Sequence, residues 1–105
     1  MLGTQLLDWK RLVEEVDRAR PRLIVVGSSL PLLPYDVSRL KQLGAICGAR
    51  LVYDAAHVAG IIAGGRFQDP LGDGADTLTL STYKTLNGPV PLTRLSHLGA
   101  RAIRN

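Results

Sequence analysis

Two rhythms of apolar and polar residues alternate along this chain, and each change of rhythm marks an element. Trp9, Leu12, Val13 and Val16 have the 0, 3, 4, 7 spacing that lines one face of a helix, with Asp8 placed to cap its first free amides. Glu14 and Arg18 stand four apart and predict an ion pair along that helix. The helix should stop near Arg20, because Pro21 disfavours the helical conformation in the residue before it. Arg22-Leu-Ile-Val-Val-Gly27 is apolar without alternation, the pattern of a parallel strand covered on both faces. The loop Gly27 to Pro34, dense in Gly, Ser and Pro, then falls at the carboxyl end of a strand, where open α/β sheets carry their ligand groups.

The pattern then repeats. Asp36 can cap a second helix whose apolar face is Val37, Leu40, Leu43 (or Gly44) and Cys47, with Gly48 as a left-handed terminator. Arg50-Leu-Val-Tyr-Asp54 reads as a second strand, residues 55–63 as a short helix or turn, and residues 64–74 as an exposed loop rich in Gly and Asp. Ala75 to Leu80 alternates and reads as a third strand. Strand, helix, strand, connection, strand predicts an α/β fold: a partial parallel sheet of about three strands with flanking helices and right-handed crossovers. Beyond Gly88-Pro89 the rhythm fades. Residues 90–105 show neither a clean period of two nor a capped helix, although a short helix from Ser96 to Ile103 fits the spacing, and they read as a frayed tail.

A chain of 105 residues has room for one domain with a modest core. Thirteen Lys and Arg against nine Asp and Glu give a net charge of +4, which by itself would suggest an anionic partner. The positive residues are scattered singly, however, and no basic stripe is interleaved with the few aromatics Trp9, Tyr35, Tyr53, Phe67 and Tyr83, so nucleic-acid binding is not expected. The single cysteine, Cys47, excludes an intramolecular disulfide, and its neighbours Leu43, Ile46 and Ala49 predict a small core residue in a reducing cytoplasm. No run reaches the roughly 18 apolar residues of a membrane span and no leader pattern opens the chain, so a soluble cytoplasmic protein is expected.

Chemistry is concentrated at the predicted strand ends. Lys84 follows the third strand between Tyr83 and Thr85 and precedes the Gly88-Pro89 turn, a place where an amine can be partly desolvated and made nucleophilic. Taken alone, a lysine after a strand is usually a solvated surface group. Asp54 at the end of the second strand could close the following turn with its side chain; the apolar residues beside it instead suggest a desolvated carboxylate in need of a cationic partner. His57, taken alone, is a structural histidine. Ser29 and Ser81 are candidate hydrogen-bonding hydroxyls, each common at strand ends. Asp54 and His57 have no further ligands at a metal-binding spacing, and neither a G-x-G-x-x-G nor a P-loop pattern occurs. An imine-forming lysine, a carboxylate for a protonated ring nitrogen and aromatic cover are together what a pyridoxal-phosphate site requires.

Three segments, Arg20-Pro-Arg-Leu-Ile-Val-Val-Gly27, Tyr53-Asp-Ala-Ala-His-Val-Ala-Gly-Ile-Ile-Ala-Gly-Gly65 and Ser81-Thr-Tyr-Lys-Thr-Leu-Asn-Gly-Pro89, in this order and at these spacings, resemble serine hydroxymethyltransferase. That is a pyridoxal-phosphate enzyme of the aspartate-aminotransferase fold type (fold type I). The resemblance runs from about Trp9 to Pro89 and divides the chain into a partial large domain, residues 1–89, and a divergent tail, residues 90–105. It implies that Lys84 forms the internal aldimine, that Asp54 pairs with the pyridine nitrogen, and that His57 lies beside the cofactor's phenolic oxygen. Ser29 falls where the family has a serine near that oxygen, and Ser81 where it usually has threonine. It further implies pyridoxal 5'-phosphate as cofactor, tetrahydrofolate as co-substrate, a serine- or glycine-type amino acid as substrate and a homodimer.

Two departures stand out. Tyr83 replaces the usual histidine before the lysine, which fits a divergent branch acting on a related amino acid such as α-methylserine. Val90-Pro-Leu-Thr replaces the family's Arg-Gly-Gly-type segment. The family's phosphate-binding loop, ring-stacking residue and substrate-carboxylate arginine find no match, so the chain reads as about a quarter of an enzyme, inactive or barely active by itself, as from a truncated or frameshifted gene. The other readings are a non-catalytic α/β remnant or interaction module and another fold type I enzyme, such as an aldolase or aminotransferase.

Overall fold

The computed structural model describes residues 7–29, 31, 33–88 and, for the backbone, 92–96. The first helix, α1 (Trp9–Ala19), starts where Asp8 accepts a hydrogen bond from the Arg11 amide (3.1 Å) and ends at Arg20, which takes a left-handed conformation. Strand β1 (Leu23–Val26) follows. The second helix, α2 (Val37–Ala45), is capped in the same way, with Asp36 accepting from the Arg39 amide at 3.0 Å, and its last turn passes into Gly48 at φ +72°. Strand β2 (Arg50–Asp54), the short helix α3 (Ala59–Ala63) and strand β3 (Thr77–Ser81) complete the expected series.

The sheet has the order β1-β2-β3-β4, with β1, β2 and β3 parallel. Val26 lies opposite Tyr53, and Tyr53 opposite Leu78, so one face carries a continuous apolar row. Against that row pack Val37 and Leu40 of α2, with Ala55, Val58 and Ala59 closing the end of the core. Burying such side chains contributes about 1.5–3 kcal/mol each, enough to hold a small sheet to the helix packed on it.

Several details differ from the sequence reading. Residues 92–96 form β4 (Leu92–Ser96), antiparallel to β3 with Ser81 opposite Leu92, where a frayed tail was expected. Pairing along a free strand edge needs backbone groups and not a side-chain period, which is why the pattern was silent. The expected helix from Ser96 to Ile103 begins on a strand residue, and its remainder lies outside the described residues. On α1, Arg18 pairs with Glu15 in place of Glu14, an i,i+3 contact on the same exposed face. Ile46 is 57% exposed and Cys47 only half-buried, its thiol pointing to the Pro21 carbonyl oxygen at 3.3 Å, so the cysteine sits at the rim of the core.

Candidate functional site

Parallel strands deliver their carboxyl ends to one edge of the sheet, and the versatile side chains gather at that edge. β1 runs into Gly27 and Ser29, β2 ends on Asp54, and β3 ends on Ser81 and leads into the turn that carries Lys84. The structure brings Lys84 into contact with His57, in the turn between β2 and α3, across 27 residues of sequence: the Lys84 Nζ lies 3.4 Å from His57 Nε2. With the ring proton on Nδ1, the ammonium donates a hydrogen bond to Nε2.

The Lys84 turn is closed on itself. The Asn87 amide donates to the Lys84 carbonyl (3.1 Å) and the Gly88 amide to the Thr82 carbonyl, while Asn87 takes φ +55°, which asparagine tolerates. The turn is also tied to α3, because the Thr85 hydroxyl accepts from the Gly60 amide at 2.9 Å. Tyr83 is 51% exposed, and the Lys84 ammonium lies 5.7 Å from its ring centroid, close enough for a weak cation–π attraction.

Asp54 is exposed, and its Oδ1 accepts from the Ala56 amide at 3.0 Å, closing the turn after β2. The expectation of a desolvated carboxylate is therefore corrected. Strand alternation sends Tyr53 into the core and Asp54 to the other face, and the neighbours Leu51 and Ala55 are buried with Tyr53, so apolar flanks in sequence are not apolar surroundings in space. A turn-closing role leaves the second carboxylate oxygen available to a cation arriving from solvent. Ser29 is likewise exposed, whereas Ser81 is buried at 4%.

Sequence reasoning passed over three contributors. A side chain on Gly27 would place its Cβ 2.6 Å from the Asp54 carbonyl oxygen, so the residue after β1 must be glycine for Asp54 to keep its position. Gly60 is in the same situation beneath the Lys84 turn, and an isolated glycine inside an apolar, helix-like run was the signal available for it. Gln68 gave none. It accepts from the Tyr53 hydroxyl (2.9 Å) and the Tyr35 amide (3.0 Å) and donates to the Tyr35 carbonyl (2.8 Å), fixing the far end of the loop that carries Ser29. Burial, aided by repulsion from Tyr35, pushes the Tyr53 phenol up to about 12.

A primary amine beside an imidazole, with a solvent-facing carboxylate on the adjacent strand, fits an aldehyde carried on a protonatable heterocycle. Among the described residues no three His, Cys, Asp or Glu side chains group as metal ligands. Nor is any helix of the described residues long and apolar enough to cross a membrane.

A family model described as serine hydroxymethyltransferase matches residues 2–105. The serine hydroxymethyltransferase of Methanocella arvoryzae is 47% identical over 83 residues, which are 79% of this chain and 20% of that protein. That of Pyrococcus horikoshii is 48% identical over 80 residues, 76% of this chain and 18% of the relative. An alpha-methylserine aldolase of Ralstonia sp is 43% identical over 83 residues, 79% of this chain and 19% of the relative. The chain thus spans about a fifth of the length of the curated relatives it matches.

Proposed function

The chain belongs to the serine hydroxymethyltransferase family, and we propose that it forms the part of a pyridoxal-phosphate site that meets the cofactor's aldehyde and ring nitrogen. The observation that carries the reading is the 3.4 Å approach of Lys84 to His57 at the carboxyl ends of parallel strands, beside the strand that ends on Asp54. When bound, the cofactor supplies an electron sink for the α-carbon of an amino acid.

The protein's own residues supply the rest. Lys84 would offer its amine to the cofactor's aldehyde, and His57, within reach of that amine, would hold the ring beside its phenolic oxygen. Asp54 would pair with the ring nitrogen and keep it protonated, a task suited to a carboxylate that the Ala56 amide holds in place. Ser29, exposed after β1, is better placed than the buried Ser81 to meet a ligand from solvent. The parent reaction moves a one-carbon unit between serine and glycine with tetrahydrofolate as carrier. The complete assembly is a cytoplasmic homodimer acting on a serine- or glycine-type amino acid. In this reading residues 1–89 form a partial large domain and residues 90–105 a divergent stretch. Tyr83 beside Lys84, together with the similarity to an alpha-methylserine aldolase, favours an α-methylserine-type substrate as the second reading.

Titration with pyridoxal phosphate tests the proposal. An absorption band of the lysine-bound cofactor is expected in the unaltered chain and not in Lys84→Ala. No band at saturating cofactor favours a non-catalytic remnant.

A further inference from the structure

We propose that Thr85 is a positioning residue whose hydroxyl, by accepting the Gly60 amide hydrogen, sets the distance between Lys84 and His57. The two side chains arise from separate loops, and the lysine reaches its neighbour along a flexible four-carbon stem, so nothing covalent fixes their 3.4 Å approach. Something else must hold the loops in register.

Three observations place that role at Thr85. First, its Oγ1 lies 2.9 Å from the Gly60 nitrogen. Second, a Cβ at Gly60 would fall 2.3 Å from the Thr85 carbonyl oxygen and 3.0 Å from the Thr85 Cβ, so the two backbones touch here and only glycine permits it. Third, each side of the contact belongs to a rigid piece. The Lys84 turn is closed by the Asn87 and Gly88 amides, so a shift at Thr85 is carried to the adjacent Lys84. On the other side the Val58 and Ala59 amides both donate to the Ala55 carbonyl (3.1 and 2.9 Å), and Val58 and Ala59 are buried, which anchors the turn containing His57 to the core. Thr85 is therefore a latch between two preformed loops, with glycine shape complementarity beneath it and one hydrogen bond above. The inference deepens the cofactor reading and takes its functional meaning from it.

Nuclear magnetic resonance of the ligand-free chain tests the latch. In the unaltered chain a cross-relaxation signal between the Lys84 side chain and the His57 ring is expected, together with slow exchange of the Gly60 amide, and Thr85→Ser keeps both. Thr85→Val has the same shape without the acceptor. It should raise Gly60 exchange roughly fivefold and remove the Lys84–His57 signal, with resonances of the distant α1 unmoved. Should Thr85→Val fail to fold, Thr85→Ala is read in the same way. A Lys84–His57 signal as intense in the folded variant as in the unaltered chain overturns the inference, as does its absence from the unaltered chain. The cofactor band reports separately: a latch that behaves as expected without a band removes the cofactor reading and leaves the latch standing.

Discussion

Gln68 does for Tyr35 what a neighbouring strand would do, occupying both its amide and its carbonyl, and it takes the Tyr53 hydroxyl as well. Gln68→Leu strands all three groups, and we expect a loss of about 2 kcal/mol in denaturant unfolding. The Tyr53 phenol, raised to about 12 by burial, gives this cluster an alkaline signature. An unfolded tyrosine ionises near 10, so the contribution of Tyr53 is complete below about pH 10 and is lost as pH rises through the folded value. Tyr53→Phe should flatten that alkaline limb. At this scale the sequence displayed what depends on residue type and strand position, namely Lys84, His57 and Asp54. It hid what depends on approach between distant loops: Gln68 meets partners 15 and 33 residues away, and Thr85 meets Gly60 at a separation of 25. Asp54 was legible as a residue and misread in its surroundings, because its flanking residues share its sequence and not its face.

Elements were legible where a local signal stops them. The carboxylates at Asp8 and Asp36 and the left-handed Gly48 mark boundaries that depend on nothing further along the chain. The fastening of one element to another was not legible, and Asp76 is the example. Its carboxylate receives the Lys41 ammonium from α2 (2.7 Å), the Leu51 amide from β2 (2.8 Å) and, more distantly, Arg50 (3.4 Å). Burial alone would raise this carboxyl, but the Lys41 ammonium, the Leu51 amide and Arg50 together outweigh it and hold it below its ordinary value of 3.8. A carboxyl depressed on folding stabilises above its unfolded pKa and ceases to do so as pH falls through the folded one. Acid unfolding should therefore steepen below about pH 4, and Asp76→Asn should be less stable at neutral pH with a flatter acid limb.

On the scale of the whole molecule, the described residues cover the sheet on one face. The unalternating run of β1 predicted burial on both, yet Leu23 and Val25 are 52% and 61% exposed on the face opposite α2. Their partners in register, Arg50 and Val52, continue that open side across β2. Leu23 and Val25, exposed on a strand whose outer edge has no partner among the described residues, invite association between copies. Val25→Lys should cost less than about 0.5 kcal/mol while reducing concentration-dependent association in sedimentation. A chain spanning about a fifth of its relatives' length, with this face open, should not turn over serine by itself even where it holds the cofactor. Whether it holds the cofactor through the residue the strand ends single out is the central point, and borohydride reduction after incubation with pyridoxal phosphate addresses it directly. Mass spectrometry should find the phosphopyridoxyl group on Lys84 in preference to Lys10 and Lys41; equal labelling of the three lysines, or labelling that persists unchanged in Lys84→Ala, would contradict the account.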